Sequence, residues 1–184
     1  MEAFDYIIVG AGSAGCVLAN RLTRHTSISV LLIEAGGPDK SPLIHAPAGF
    51  PKLFRSRYDW AYETEEQAHL NNRRLYWPRG KTLGGSSSIN AMLYIRGSRH
   101  DYNHWRELGN AGWGYEEVLP YFKKSEDNVR GRSDYHGAGG PLRVSDQRSP
   151  NPISLAWVDA GVQFGLAKND DFNGRSQEGV GLFQ

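Results

Sequence analysis

The sequence of 184 residues contains one cysteine, Cys16, so no disulfide can form within a single chain. This shortage is typical of a reducing compartment. No run of 18 apolar residues occurs, which argues against a helix that crosses a bilayer. Because the 21 basic and 20 acidic residues nearly cancel, composition gives no electrostatic case for a nucleic-acid partner. The N-terminus has two acids and a brief apolar stretch, unlike a signal peptide.

The first 35 residues combine a strand pattern, a glycine-rich turn, a helix pattern and a second strand pattern. Residues 4–9 and 28–33 are apolar and rich in β-branched side chains, which predicts two buried strands. Residues 13–24 between them have the spacing of a helix, on which Cys16 is expected to pack against the sheet. The turn reads Gly10-x-Gly12-x-x-Gly15. This order is typical of a βαβ unit that binds a dinucleotide.

Each residue of this fingerprint has a physical role. Gly10 permits a tight turn, Gly12 leaves room for a pyrophosphate, and Gly15 lets the helix pack closely on the strand. The helix N-terminus offers N–H groups and a partial positive charge to the phosphates. Glu34 ends the second strand, where a carboxylate can accept hydrogen bonds from a ribose. The pattern does not separate FAD from NAD, and a plain glycine turn is the alternative.

Residues 36–80 are predicted to form an irregular lid over a bulky cofactor. Prolines and glycines concentrated in 36–60 argue against a long helix, and no further βα units follow, unlike a classical nicotinamide domain. Trp60 and Trp77 are expected to pack in the core, with covering of a cofactor as the alternative. In the next stretch, GKTLGGSSSINA, glycines allow the backbone to approach a flat ring, and Ser86–Ser88 can cap a helix.

Residues 80–103, 136–145 and 171–184 resemble motifs of the glucose–methanol–choline (GMC) family of flavin oxidoreductases. The pattern is most similar to FAD-dependent alcohol dehydrogenases of alkane oxidation and to choline dehydrogenases, without separating the two. The resemblance implies an α/β fold, with a partial Rossmann-like FAD-binding domain over 1–145. The start of an α+β substrate domain is then expected over 146–184.

The resemblance also implies which residues contact FAD. Pyrophosphate contacts are expected from the first turn, ribose contacts from the end of the second strand, and isoalloxazine contacts from the later loop. The implied residues are Gly10, Gly12, Ser13, Gly15, Glu34, Ala35, Gly80, Gly84, Gly85, Ser88, Asn90, Ala91 and Met92. Some members link flavin through a histidine at the position of Ile89, so non-covalent FAD is expected. Asn90 has both donors and an acceptor for the ring, and a loop cap is its alternative role.

The family implies oxidation of a primary alcohol by hydride transfer to flavin N5, with a quinone or oxygen as electron acceptor. Its histidine base lies near the end of a much longer chain, and none of the six histidines here matches it. We therefore expect an N-terminal fragment with no catalytic residue, inactive alone. A nucleotide-binding module without activity is the alternative. The expected location is cytoplasmic, with peripheral inner-membrane association of the full-length enzyme left open.

The remaining patterns predict structural roles. His100 and His104 share one face of an exposed polar helix, no metal site is expected, and His136 is expected to be structural. Residues 141–145 predict another strand of the parallel sheet. A helix beginning near Pro152 has an apolar face that this chain would expose, which predicts poor solubility.

Overall fold

The computed structural model describes residues 3–184, which divide into two compact units. The first unit ends at Met92, and the second extends from Leu93 to Gln184. The domain boundary expected near residue 145 stays a prediction.

The first unit opens with strand β1 (Tyr6–Val9), helix α1 (Ser13–Leu22) and strand β2 (Val30–Ile33). The two strands pair in parallel, with Tyr6 opposite Val30 and Val9 opposite Ile33. A parallel pair requires a crossover connection, and α1 supplies it. The predicted strand–helix–strand order is therefore confirmed.

The burial expected for these elements was wrong. Ile7 is 63% exposed and Val9 is 83% exposed. Cys16 is exposed as well, and its thiol donates to the Ala11 carbonyl at 3.2 Å instead of packing on the sheet. The physical reason is that β1 and β2 form a sheet of only two strands among the described residues, too small to bury its own apolar side chains.

The segment after β2 contains only short elements. They are helix α2 (Pro42–His45), 3₁₀ helices at Pro47–Lys52 and Ala68–Leu70, and a hairpin of β3 (Tyr62–Glu63) with β4 (Tyr76–Trp77). Buried Asp59 holds the segment together, because it accepts hydrogen bonds from the backbone N–H groups of Arg55 at 2.8 Å, Ala61 at 3.0 Å and Arg79 at 2.9 Å, and from the Tyr76 hydroxyl. The expected absence of a long helix holds throughout this segment.

The second unit contains helices α3 (Arg99–Glu107) and α4 (Tyr115–Ser125), strands β5 (Glu126–Asn128) and β6 (Leu142–Val144), and helix α5 (Pro152–Gln163). Strand β6 forms where a strand was predicted, but its partner is β5, in a separate two-stranded parallel sheet. Helix α5 begins at Pro152 as predicted, and the Asn151 side chain caps it by accepting from the N–H of Ile153 at 2.9 Å.

A buried polar cluster lies at the centre of the second unit. Glu126 is fully buried and accepts from Arg96 Nη2 at 2.9 Å, while His136 Nδ1 lies 2.9 Å from its other oxygen. The second ring nitrogen of His136 lies 2.8 Å from Asp171 Oδ2. Burial by itself would raise the pKa of Glu126, but hydrogen bonds from Asn128, Gly137 and His136 outweigh it and lower that pKa. His136 is therefore structural, as predicted.

The other sequence features of the second unit lie at its surface. Helix α3 is exposed or half-buried throughout, and the His100 and His104 rings stack with their centroids 6.0 Å apart. On α5, Ile153 is 78% exposed and Trp157 is 75% exposed, and Phe164, at the C-cap position directly after the helix, is 86% exposed. No helix within residues 3–184 has both the length and the apolar character needed to cross a membrane.

Candidate cofactor-binding site

A cleft of about 540 Å³ opens where β1 and β2 end, and we call it the N-terminal cleft. Its volume lies within the range of small-molecule sites. Six of the predicted cofactor residues line it, namely Gly10, Gly12, Glu34, Ala35, Gly80 and Gly85. The structure thus brings the first glycine turn, the end of β2 and the later glycine loop together around one space.

The glycine turn brings Gly12, the N-cap residue of α1, to the edge of that cleft. Gly10 has a φ of +94°, which favours glycine, and a Cβ on Gly15 would lie 1.9 Å from the Gly10 carbonyl oxygen. A Cβ on Gly12, in contrast, would meet no atom within 4 Å. Helix α1 has no side-chain cap and no acid in its first turn, so its first N–H groups are free to bind an anion.

Glu34 joins the turn to the end of β2. Its carboxylate accepts from the N–H of Ala11 at 2.7 Å through Oε2 and from the N–H of Gly36 at 2.9 Å through Oε1. Each carboxylate oxygen has a second lone pair, so both can still accept a hydroxyl proton. The side chain is therefore fixed in place yet able to bind a diol in the cleft.

The later glycine loop packs directly on the first turn. The N–H of Gly84 donates to the Ala11 carbonyl at 2.8 Å, and a Cβ on Gly85 would lie 2.8 Å from Gly12 Cα. The hydroxyls of Ser13 and Ser87 also form a hydrogen bond. Two glycine segments that are distant in the sequence are thus in contact, and the absence of side chains is what allows this approach.

The serines of this loop do not cap a helix, so that expectation was wrong. Residues Gly85–Ser88 form one 3₁₀ turn, and its N-cap position is Gly84, which has no side chain to cap with. Instead, Ser86 Oγ accepts from the N–H of Gly80 at 3.1 Å, and Ser88 Oγ donates to the Leu83 carbonyl at 2.8 Å. The Ser86 and Ser88 hydroxyls therefore stabilise the loop through hydrogen bonds to its own backbone.

The end of the loop has a strained backbone. Met92 has a φ of +58°, and the Asn90 carboxamide oxygen accepts its N–H at 2.9 Å. The Asn90 amide nitrogen forms no hydrogen bond with any residue that the structure describes.

Among the predicted residues, those that do not line the N-terminal cleft are Ser13, Gly15, Gly84, Ser88, Asn90, Ala91 and Met92. Ile89 is buried at 3% exposure.

Six residues outside the predicted set of cofactor contacts also line the cleft: Val9, Ile33, Trp60, Tyr62, Arg79 and Ser86. For Trp60, covering of a cofactor was the alternative to its expected core role. The Trp60 and Tyr62 rings stack with centroids 5.6 Å apart and planes at 11°. Trp60 is 39% exposed and Trp77 is 47% exposed, so the core role expected for both was wrong. Arg79 follows a Trp-Pro pair immediately before the glycine loop, and this position next to the loop was the available sequence signal.

Within residues 3–184, no three His, Cys, Asp or Glu side chains come together as a group of metal ligands. No histidine lines the N-terminal cleft within the same range. The polar and aromatic groups that line the cleft are therefore backbone groups of the glycine segments, the Glu34 carboxylate, the Arg79 guanidinium, the Ser86 hydroxyl and two stacked aromatic rings.

Comparison with known proteins places this geometry in a family. An alcohol dehydrogenase (acceptor) of Pseudomonas putida is 55% identical over 183 residues, which cover 98% of this chain and 33% of that protein. An oxygen-dependent choline dehydrogenase of Rhizobium etli is 48% identical over 181 residues, again 98% and 33%. The chain thus spans about a third of the length of the curated relatives it matches.

Two solved structures are similar to this chain in fold. The crystal structure of pyridoxine 4-oxidase from Mesorbium loti superposes with a TM-score of 0.85 at 41% identity, over 93% of this chain and 34% of that one. A formate oxidase superposes with a TM-score of 0.80 at 32% identity, over 92% and 32% of the two chains. The family model described as GMC oxidoreductase matches residues 4–184. The chain therefore belongs to the GMC oxidoreductase family.

Proposed function

We propose that this chain is the part of a flavin-dependent alcohol oxidoreductase that binds FAD through a Rossmann-like βαβ unit. The observation that carries the proposal is the N-terminal cleft, which is lined by the unobstructed Gly12, the N-cap residue of a helix without a side-chain cap, and by the fixed Glu34 carboxylate. These features match the pyrophosphate and the ribose of a dinucleotide. Family membership favours FAD among the dinucleotides.

The residues have distinct proposed roles. The N–H groups that begin α1, from Ser13 onward, would bind the pyrophosphate, and Glu34 with Ala35 would hold the ribose. Arg79 would add a positive charge beside the phosphates, because its guanidinium forms no ion pair with any described carboxylate. The loop from Gly80 to Met92 would lie along the flavin ring. Its strained Met92 and the free Asn90 amide nitrogen are the features that support that placement.

When bound, FAD supplies an acceptor for the hydride that leaves the alcohol carbon. The chain's own residues would bind and orient the cofactor. No histidine of residues 3–184 lines the cleft, so in this proposal the base that takes the hydroxyl proton comes from chain beyond them. The proposed substrate is a primary alcohol, an alkanol or choline, and the proposed electron acceptor is a quinone or oxygen.

FAD is proposed to bind without a covalent link. Ile89 has no nucleophilic atom, and its side chain is buried at the position where a linking histidine would stand. Acid precipitation of the flavin-loaded protein should therefore release the flavin into the supernatant. Flavin that stays with the precipitate would contradict this point alone.

The experiment that tests the function measures reduction of bound flavin without oxygen. Linear primary alkanols and choline are added to the FAD-loaded chain and to a version extended to the length of the relatives. The proposal expects bleaching of the flavin absorbance in the extended protein only. Bleaching by neither alcohol would overturn it. The second candidate, a module that binds FAD without activity, is favoured by the absence of a histidine from the cleft of residues 3–184, and it predicts flavin binding without bleaching in both proteins.

A further inference from the structure

A second cleft of the first unit has a volume of about 650 Å³, and we call it the basic cleft. Its charged and hydroxyl-bearing lining residues are Lys40, Ser41, Arg57, Tyr58 and Lys81. No carboxylate is among the residues that line it. The nearly neutral composition of the chain thus conceals a local concentration of positive charge.

The three cations of the basic cleft are not neutralised by the described residues. No ion pair with a carboxylate of residues 3–184 is formed by Lys40, Arg57 or Lys81. Elsewhere in the same unit, Arg55 pairs with Glu63 at 3.8 Å. Asp39 precedes Lys40 in the sequence but does not line the cleft. Like charges gathered around one space repel each other, and an anion in that space would relieve the repulsion.

The hydroxyl groups complete a set of donors. Arg57 Nη2 donates to the Tyr58 hydroxyl oxygen at 2.6 Å, and this hydrogen bond lowers the pKa of Tyr58. Since its oxygen already accepts from Arg57, the Tyr58 hydroxyl can direct its proton to a ligand. Ser41 lies beside it at the start of α2. A cleft with cations, two hydroxyls and no acid suits the several acceptor oxygens of a phosphate group.

The walls of the basic cleft are joined by backbone hydrogen bonds. The N–H of Lys81 donates to the Tyr58 carbonyl at 2.7 Å. Gly37 and Thr82 form an isolated parallel bridge, and the Thr82 hydroxyl donates to the Gly37 carbonyl at 2.8 Å. The cations are therefore presented by a preformed frame, which lowers the ordering cost of binding.

We propose that the basic cleft is a binding site for a phosphate-bearing anion, separate from the cofactor cleft. A soluble phosphorylated metabolite and an anionic lipid headgroup share this chemistry. Arg57 binds the phosphate oxygens through its planar guanidinium, and Lys40 and Lys81 neutralise the remaining charge. Lys81 also lies over Trp60, with its Nζ 4.4 Å from the ring centroid, so a bound anion would draw this ammonium from a wall of the N-terminal cleft.

The test uses FAD-loaded protein, so that the cofactor's own phosphate site is filled. Inorganic pyrophosphate is titrated by calorimetry, and sedimentation is measured with phosphatidylcholine vesicles with and without phosphatidylglycerol. Saturable binding of pyrophosphate identifies a soluble ligand, and binding only to the anionic vesicles identifies a headgroup. Arg57→Gln and Lys81→Gln should each weaken the observed binding about tenfold, because each removes a charge-assisted contact.

Control variants distinguish binding in the basic cleft from nonspecific attraction of an anion to exposed positive charge. Lys52→Gln removes an exposed cation of the same unit that does not line the cleft, and it should leave binding unchanged. Lys81→Arg keeps the charge and should keep the binding. Flavin content and circular dichroism show that each variant is folded. The proposal is overturned if neither pyrophosphate nor anionic vesicles bind, or if Lys52→Gln weakens binding as much as Arg57→Gln does.

Discussion

Two carboxylates of the first unit, Glu34 and Asp59, have different roles. Glu34 lines the N-terminal cleft and fixes the glycine turn, and Asp59 lies buried in the irregular segment and binds its backbone. Both use backbone N–H groups as partners, but only Glu34 faces a space large enough for a ligand. Substitution of Glu34 should therefore change the affinity for a ligand, and substitution of Asp59 should change the free energy of unfolding.

Glu34→Gln should weaken FAD binding about tenfold, because a neutral amide replaces a charge-assisted acceptor of the ribose hydroxyls. The measurement is a titration of the apoprotein with FAD, followed by flavin fluorescence. Glu65→Gln is the control, since its side chain is 92% exposed and distant from the cleft lining. Equal affinities for wild type and Glu34→Gln would remove Glu34 from the proposed site.

Asp59→Asn should lower the free energy of unfolding by about 2 kcal/mol at pH 7. Burial opposes the charge of Asp59, but hydrogen bonds from Tyr76, Ala61, Arg55 and Arg79 outweigh it and lower its pKa from 3.8 to about 2. Because the pKa of Asp59 is lower in the folded protein, its carboxylate stabilises the fold at any pH above its pKa in the unfolded chain. This contribution is lost as the pH falls through about 2. Urea denaturation at pH 7 and near pH 2 should show the difference between the two proteins disappear in acid. A difference that persists unchanged at pH 2 would contradict this account.

Among the structural elements, the sequence predicted those determined by neighbouring residues and missed contacts between residues far apart in the chain. The turn from Gly10 to Gly15 and the acid at the end of β2 were predictable, because the spacing of one βαβ unit determines them. The contact of Arg79 with the same cleft was not predicted, and covering of a cofactor was only the alternative for Trp60, since an irregular segment has no periodicity that orients its side chains. The buried cluster was also missed, because Arg96 and Glu126 are 30 positions apart and Arg96 and Asn173 are 77 apart.

Two glycines of the first turn should respond differently to alanine. Gly15→Ala places a Cβ 1.9 Å from a backbone oxygen and should destabilise the unit by about 1–3 kcal/mol or prevent its folding. Gly12→Ala meets no atom within 4 Å and should fold normally, yet weaken FAD binding, because its methyl group would occupy the space of the phosphates. Circular dichroism and FAD titration separate the two effects. Normal stability of Gly15→Ala would contradict the packing of α1 on β1.

Loss of the carboxylate of the buried ion pair in the second unit should lower the free energy of unfolding much more than loss of an exposed one. Glu126→Gln leaves Arg96 buried without its carboxylate and should cost about 3–5 kcal/mol. Glu116→Gln removes the partner of Arg99 at 2.7 Å, but both side chains are exposed, so the cost should be about 1 kcal/mol or less. Because the pKa of Glu126 is lowered from 4.5, its contribution is present above that pH and falls in acid. Urea denaturation of the two variants at neutral pH measures the contrast, and equal costs would contradict it.

At the scale of the whole molecule, the two units differ in what they leave exposed. The first unit leaves the apolar strand residues Ile7 and Val9 exposed, and the second leaves the apolar residues Ile153 and Trp157 of α5 exposed. The chain spans about a third of its curated relatives, and patches of this kind favour association when nothing covers them. The poor solubility expected from the sequence stays a prediction, which light scattering of the isolated chain measures.

FAD is proposed to bind in the N-terminal cleft at Gly12, where helix α1 begins. The most direct measurement is an FAD titration of the folded apoprotein and its Gly12→Ala variant, with flavin fluorescence as the signal. The account predicts one FAD bound per chain in the wild type, and an affinity at least about tenfold lower in a variant whose circular dichroism is unchanged. A folded wild type that binds no FAD, or a Gly12→Ala variant that binds it equally well, would contradict the account.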